Sequence, residues 1–330
     1  MDLSYLVLNT TDPAYNLAAE QYVFDSLPKD RTYFMLWQNN NAIIIGKHQN
    51  TYAEINAEFV KEKNIKVVRR LSGGGAVYHD LGNLNFTFIS DATSNEIDFP
   101  TFCRPIAKAL EKLGVPVEIN GRNDMLIDGR KFSGNSQYVR NGRVMHHGTI
   151  LYDSDLSIIG QSLQVDPQKI ESKGIKSVRS RVTNVSEYMA QKVSMPEFID
   201  ALLSALLKET PGTKYSLTGD DHMEIDRIRR ERYDTWEWNY GYSPECTMCK
   251  KARVEGCGSI QIHLSVKHGT VESMEIYGDF FSVNDPSELV RHLVGTPLTA
   301  TACADALKNI DVSYYIRGLS NQQFIEILCQ

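Results

Sequence analysis

Arg69-Arg70-Leu71-Ser72-Gly73-Gly74-Gly75-Ala76-Val77-Tyr78-His79-Asp80 is the stretch on which the reading of this chain turns. Its three consecutive glycines separate the hydrophobic run Ile65-Lys66-Val67-Val68 from Leu84-Asn85-Phe86-Thr87-Phe88-Ile89. Glycine loses the most backbone entropy on folding, so a triplet weakens any strand it interrupts. A chain keeps such a triplet where backbone must approach a ligand closely, or where it makes a bulge or sharp turn. Arg69 and Arg70 precede the glycines and His79 follows them. Unobstructed amides beside guanidinium groups suit a phosphate or a carboxylate. The triplet is not a Walker A loop, because no Gly-Lys-Ser/Thr follows, and its spacing is not G-x-G-x-x-G.

Downstream lie two hairpin signals. Asp128-Gly129 separates Met125-Leu126-Ile127 from Arg130-Lys131-Phe132-Ser133, and Asn141-Gly142 separates Ser136–Val139 from Val144–His147. Both dipeptides favour the positive-φ geometry of tight turns, so an antiparallel meander is expected. Strand alternation then places Lys131, Ser133 and Asn135 on one face, and Phe132, Gly134 and Ser136 on the other. His146 and His147 are adjacent on a strand and point to opposite faces, so they do not chelate one ion, and one of them faces a pocket.

Elsewhere the periodicity predicts helices over residues 14–27, 99–113, 196–207 and 220–233, and a buried strand at Ala42–Gly46. A short edge strand is expected at Val115–Ile119. Asp234–Pro244 is aromatic and ends in turn residues, which marks a boundary. Beyond it, strand patterns (259–266, 271–277) alternate with helical ones (286–293, 299–307, 321–328), as in a small α+β domain. The expected division is 1–245 and 246–330.

The chain has 330 residues, 42% hydrophobic and 23% charged, enough for a large core and two domains. Its net charge of −6 argues against a nucleic-acid binder. Lys and Arg nevertheless outnumber Asp and Glu between Arg122 and Arg181, a segment suited to an anionic ligand or to a solvated charged surface. No apolar run approaches the roughly 20 residues that span a bilayer, and Met1–Tyr5 lacks a basic n-region. The six cysteines are scattered, which fits reduced thiols in a cytoplasm. Cys246-x-x-Cys249 with Cys257 resembles part of a zinc site. A fourth ligand is not evident, although His263 and His268 follow, and zinc is not expected. Cys103 falls in a helical pattern and reads as a buried hydrophobe.

Lys131, just after a tight turn, is the best candidate for a reactive-site cation. Where a carboxylate meets an α-phosphate, both reactants are negative, and a fixed ammonium between them relieves the repulsion. An exposed hairpin lysine is the plainer alternative. Gly121-Arg122-Asn123-Asp124 reads either as an Asn/Asp turn or as a hold on a nucleotide or magnesium.

Taken together, these segments resemble the lipoate–protein ligase A family. The resemblance rests on Arg69–Asn83, Gly121-Arg122-Asn123-Asp124, Arg130-Lys131-Phe132-Ser133-Gly134, His146-His147-Gly148-Thr149 and Lys173–Asn184, in that order. The ending Ile276–Phe281 looks like that family's accessory domain. Leu71 stands where a third arginine can occur. The resemblance implies an α+β fold: a large catalytic domain of the biotin/lipoate-ligase, class II synthetase-like type, with mixed and antiparallel sheets and flanking helices, plus a small C-terminal α+β domain.

It further implies that lipoate and MgATP yield lipoyl-AMP and pyrophosphate, after which an acceptor lysine attacks the mixed anhydride. No tightly bound organic cofactor is implied. Arg70, Gly75, Ala76, Val77 and Tyr78 would hold the nucleotide phosphates. Asn83, Asn123 and Asp124 would line the nucleotide side, with Asp124 toward the metal. Ser72, Gly73, Gly74, His79, Ser133, His147 and Gly148 would surround the lipoyl group. Lys131 would touch both reactants. Lys173, Arg179 and Arg181 would belong to a loop closing over the adenylate. Implied partners are lipoyl domains of 2-oxoacid dehydrogenase E2 subunits and the glycine-cleavage H protein, with no nucleic acid or membrane, and a monomer is expected. The rivals are an octanoyltransferase of the same fold, which needs a cysteine nucleophile, a biotin–protein ligase, and a catalytically silent lipoate-binding module.

Overall fold

The structure, a computed structural model, describes residues 3–92, 97–120, 123–163, 182–241, 248–267 and 269–329. Its strands run β1 Leu3–Val7, β2 Thr32–Trp37, β3 Ala42–Ile45, β4 Lys66–Arg69, β5 Val77–His79, β6 Asn83–Asp91, β7 Glu118–Asn120, β8 Asp124–Ile127, β9 Arg130–Arg140, β10 Arg143–Leu151, β11 Gly212–Lys214, β12 Met248–Val254, β13 Gly258–Lys267 and β14 Thr270–Gly278. Among the described residues a mixed eight-stranded sheet has the order β11-β1-β2-β6-β10-β9-β8-β7. Its β11-β1-β2 end is parallel, and the rest is antiparallel. A small second sheet, β4-β3-β5, carries the glycine loop between its two outer strands.

The sheet is packed on both faces, and β2 shows why. Its side chains alternate: Phe34 and Leu36 enter one core, and Tyr33, Met35 and Trp37 enter the other. Helix Pro13–Ser26 covers the second core; it starts at Pro13, with the Asp12 carboxylate accepting from the Ala14 and Tyr15 amides. Helices Phe99–Lys112 and Met195–Glu209 cover the first through Ile106, Leu110, Phe198 and Leu202. Each such side chain contributes about 1.5–3 kcal/mol on burial. The helix Phe99–Lys112 stops where expected, just before Gly114.

Both hairpin turns form. Asp128 and Asn141 sit at φ 48° and 52°, the left-handed region that the Asp-Gly and Asn-Gly dipeptides favour. The edge strand falls at Glu118–Asn120, slightly later than the sequence suggested, and ends the sheet. One expectation fails. The β8–β9 register pairs Met125 with Ser133 but Leu126 with Lys131, so Phe132 is an extra residue. The bulge puts Lys131 and Gly134 on one face and turns Ser133 to the other.

The C-terminal part is an antiparallel β12-β13-β14 meander with helices Pro286–Arg291, Ala300–Ala306 and Asn321–Cys329. It has its own core, including Ile260, Leu264, Phe280 and Phe324. It is also keyed into the larger body. Phe281 joins the main core and meets Phe99 edge-on at 5.1 Å. Arg317 Nη1 donates to the Ile97 carbonyl at 2.7 Å. Cys257 is buried in the small core and Cys249 is exposed on β12. Cys246 and His268 lie outside the described residues, and among the described residues no His/Cys/Asp/Glu group gathers to hold a metal.

Candidate active site

The glycine loop is held from behind by its two arginines. Arg69 is fully buried and donates to the carbonyls of Gly46 (3.0 Å) and Gln49 (2.6 Å) and to Thr51 Oγ1 (2.6 Å). Arg70 folds over the loop itself. Its Nη2 donates to the carbonyls of Gly73 (2.6 Å) and Gly75 (2.9 Å), its Nε to Ser72 Oγ (3.1 Å), and its Nη1 to the Ile44 carbonyl (3.1 Å). Burial pushes Arg70 down to about 10, which still leaves it charged at neutral pH. The family resemblance assigns Arg70 to the nucleotide phosphates; its donors shape the loop, and its side chain forms part of the cavity wall. Leu71 is buried in the core beneath, where a third arginine would have to be desolvated.

In front of the loop lies a cavity of about 130 Å³. Leu17, Trp37 and Ile44 make its apolar side; His79, Asn85 and His147 are among its polar groups. A second hollow of about 430 Å³ adjoins it. Gly74, Gly75, Asn123 and Lys131 border both. The outer wall of the second comes from Asp124 on one side and from Arg253, Asp279 and Phe281 of the C-terminal part on the other.

Lys131 stands at the junction because of the Phe132 bulge. A Cβ built on Gly134 would come within 3.0 Å of Lys131 Nζ, so the two share a face and Gly134 leaves the ammonium room. Lys131 Nζ pairs with Asp124 Oδ1 at 2.6 Å. Asn123 is tied to β9, its Nδ2 donating to the Asn135 carbonyl at 2.9 Å.

Deeper in, polar groups form a line. Ser72 Oγ is 2.6 Å from His147 Nε2, and His147 Nδ1 is 2.9 Å from Glu20 Oε1. Thr87 Oγ1 donates to Glu20 at 2.5 Å and accepts from Trp37 Nε1 at 2.9 Å. A carboxylate accepts, so His147 Nδ1 carries a proton. Glu20 was missed by sequence reasoning. Its one signal is an acid inside the buried stripe of helix Pro13–Ser26, one turn after Leu17.

Of the other expected residues, Ala76, Val77 and Gly148 line the cavity. Gly148 is glycine for space: a Cβ there would sit 2.2 Å from Asn135 Oδ1 and 2.6 Å from the Phe86 ring. Ser133 turns away, its hydroxyl accepting from Asn135 Nδ2 at 3.2 Å. Asn83 is buried behind Asn85. Tyr78 points into a separate small core and donates to Asn41 Oδ1 at 3.1 Å. Lys173, Arg179 and Arg181, with Gly121 and Arg122, lie outside the described residues. His146 is on the face opposite His147, packed among Phe86, Phe99 and Phe102. Cys103 lies 3.9 Å from His146 Nε2 on that core face, and burial pushes its thiol up to about 12.

A mixed sheet with a glycine loop on one wall and a bulge-presented lysine between an apolar cavity and a polar hollow defines a catalytic domain that handles an acyl chain and an anion together. The family model described as lipoyl protein ligase A/B catalytic domain matches residues 12–207, and that described as bacterial lipoate protein ligase C-terminus matches residues 243–328. The chain belongs to the lipoate–protein ligase family. It is 44% identical to lipoate–protein ligase LplJ of Bacillus subtilis, covering 97% of this chain and 98% of that one. Against lipoate–protein ligase 1 of Staphylococcus aureus the identity is 41%, with 97% and 98% covered.

Among solved structures, LipL1 of P. falciparum in complex with lipoate superposes with a TM-score of 0.79 at 24% identity, covering 99% of this chain and 98% of that one, a likeness of fold. A bipartite lipoate–protein ligase of Thermoplasma acidophilum, studied with its E2 lipoyl domain, gives 0.65 at 28% identity, covering 75% and 100%. A lipoate–protein ligase A bound with ATP gives 0.63 at 25% identity, covering 74% and 100%. No helix among the described residues is long and apolar enough to cross a membrane.

Proposed function

We propose that the chain uses ATP to activate lipoate as lipoyl-AMP, releasing pyrophosphate, and then transfers the lipoyl group to an acceptor lysine. The observation that carries this is the position of Lys131, on the border between the partly apolar cavity and the polar hollow. The lipoyl chain lies along Leu17, Trp37 and Ile44, and its carboxylate reaches Lys131. The α-phosphate meets the same ammonium from the other hollow, beside the glycine-loop amides. Neutralising two negative reactants and aligning them is the main catalytic demand, and no protein nucleophile is required. In the second step a lysine amine attacks the acyl carbon, the tetrahedral intermediate collapses, and AMP leaves.

Asp124 and Asn123 border the nucleotide hollow, and one carboxylate with an amide oxygen fits a magnesium ion that keeps most of its ligands as phosphates and waters. Bound with ATP, magnesium would neutralise the pyrophosphate leaving group, and Lys131 would be freed from its pairing with Asp124. The Lys173–Arg181 segment is the proposed lid that shields the anhydride from water. Residues 1–245 form the proposed catalytic unit and 246–330 the accessory unit. The proposed setting is cytoplasmic, the enzyme monomeric, and the acceptors lipoyl domains of 2-oxoacid dehydrogenase E2 subunits and the glycine-cleavage H protein.

An octanoyltransferase chemistry is disfavoured by Cys103. Its thiol is protonated and lies on the face of the sheet away from the cavity. The deciding experiment incubates the protein with ATP, magnesium, lipoate and an apo lipoyl domain. Lipoate-dependent pyrophosphate release and a lipoyl mass increment on the acceptor are expected. Transfer from an acyl thioester without ATP would sink the proposal.

A further inference from the structure

His79 and Asn85 line the acyl cavity, and each carries a buried hydrogen-bond donor with no acceptor among the described residues. Asn16 Nδ2 donates to the Thr10 (3.1 Å) and Gln38 (2.7 Å) carbonyls and to Asn39 Oδ1 (2.9 Å). Those carbonyls fix Asn16, and Asn16 fixes Asn39 with its Nδ2 toward His79 Nδ1, at 3.2 Å. An accepting Nδ1 places the ring proton of neutral His79 on Nε2. Burial, reinforced by Arg70 and His147, pushes His79 down to about 3, so the ring stays neutral. His79 Nε2 is buried and has no partner among the described residues.

Asn85 repeats the pattern. Its Oδ1 accepts from Asn83 Nδ2 at 3.0 Å, and its Nδ2 has no partner among the described residues. His79 and Asn85 are 3% and 2% exposed, and both line the cavity. Both also neighbour Trp37: the His79 ring centroid is 6.4 Å from that of the indole, and Asn85 pairs with Trp37 across β2 and β6. Both therefore stand beside the indole that forms part of the cavity's apolar side.

A buried donor left without an acceptor destabilises the fold, so a ligand that supplies acceptors at this depth is favoured over one that does not. A straight acyl chain supplies none. A dithiolane ring carries two sulfurs, which are weak acceptors. We propose that His79 Nε2 and Asn85 Nδ2 recognise the ring sulfurs, making the cavity select a dithiolane-bearing acid over a straight-chain acid of equal length. The inference rests on the lipoate reading of this cavity and deepens it.

The test measures kcat/KM in acid-dependent pyrophosphate release at saturating ATP, with lipoate, octanoate and 6-thiaoctanoate. For the unmodified protein, lipoate exceeds octanoate on the order of tenfold, with 6-thiaoctanoate between them. Asn85→Ala lowers lipoate turnover about fivefold more than octanoate turnover, because only lipoate loses a partner. Equal loss on both acids, or an unchanged ratio, overturns the proposal. If the variant does not fold, the thiaoctanoate comparison on the unmodified protein decides alone, and no advantage over octanoate overturns the proposal. If no acid supports pyrophosphate release, it is the ligase reading that fails.

Discussion

The backbone amide of Gly74 donates to the carbonyl of Phe280, 3.2 Å away, so the glycine loop and the C-terminal part share a hydrogen bond. The neighbouring Gly73 is packed against the same carbonyl: an added Cβ would lie 2.5 Å from Phe280 O. The obstacle is backbone, not a side chain that can swing aside. Gly73→Ala should therefore push the Phe280–Phe281 segment off the loop, costing about 1–3 kcal/mol as other overpacked sites do. Urea unfolding measures the cost. Hydrogen exchange should quicken at the amide of Gly74 while the β9–β10 hairpin stays protected. A variant as stable as the parent, with the Gly74 amide still protected, would show that the contact does not hold the two parts together.

Lys131→Ala should remove acyl-adenylate formation by a factor of about 10² to 10³, the usual loss when a preorganised charge-stabilising group is deleted. Its side chain is 38% exposed and its pairing with Asp124 is a surface one, so stability should change by less than about 1 kcal/mol. Lys131→Arg should not restore the rate, since a planar fork replaces a compact point charge beside Gly134. Lipoate-dependent pyrophosphate release, together with a melting curve, separates lost chemistry from lost fold. A normal rate of lipoyl-AMP formation in Lys131→Ala would remove the lysine from the mechanism.

The legible parts of this site are those in which local chemistry dictates geometry. Asp128-Gly129 and Asn141-Gly142 demand positive φ, and both turns form, so the meander carrying Lys131, His147 and Gly148 could be read directly. The split of His146 from His147 follows from strand alternation alone, and holds. Alternation failed at Phe132, because a bulge is set by how β8 meets β9, which no window of β9 contains. Glu20 and Asn85 were illegible for a related reason. Each sits in a segment read as core, and only the assembled sheet shows that part of that core faces a cavity. Arg70 illustrates the converse. Its charge suggested a phosphate, and in the fold its donors also hold the Ser72 hydroxyl and the carbonyls of Gly73, Gly75 and Ile44.

Glu20 should matter for stability as well as for the cavity. It is buried, and it accepts from both His147 Nδ1 and Thr87 Oγ1. Glu20→Ala leaves two buried donors without an acceptor and opens space beneath Leu17. A loss of about 2–4 kcal/mol is expected in urea unfolding. Glu20→Gln keeps the volume and one acceptor oxygen, and should cost less than half as much. A cost below about 0.5 kcal/mol for Glu20→Ala would show that the carboxylate's bonds to His147 and Thr87 contribute nothing.

Three buried histidines set how stability depends on pH. Burial, with Lys47 nearby, pushes His48 down to about 3, and burial with Arg70 nearby pushes His79 to about 3. His146, among aromatic rings, is driven well below its ordinary value. In the unfolded chain each titrates near 6.5. Between roughly 6.5 and 3 the unfolded chain binds protons that the folded chain refuses. Stability is therefore fully present above about pH 6.5 and falls as pH drops, by up to about 1.4 kcal/mol per pH unit for each histidine. Carboxylates do not enter the upper part of that window, from about pH 6.5 to 5.5. Burial would raise Asp221, but its bonds with Tyr22 and Thr218 hold it below its ordinary value, so its contribution is lost only at more acid pH. Urea unfolding at pH 7.5, 6.5 and 5.5 should show a plateau followed by a decline. His48 lies against Ser282 Oγ at 2.7 Å and stacks on Phe280 at 4.9 Å, so its protonation should loosen the C-terminal part first. His48→Gln should remove about one proton's worth of slope. Stability that is flat from pH 7.5 to 5.5, or a slope untouched by His48→Gln, would mean that these rings reach solvent before the chain unfolds.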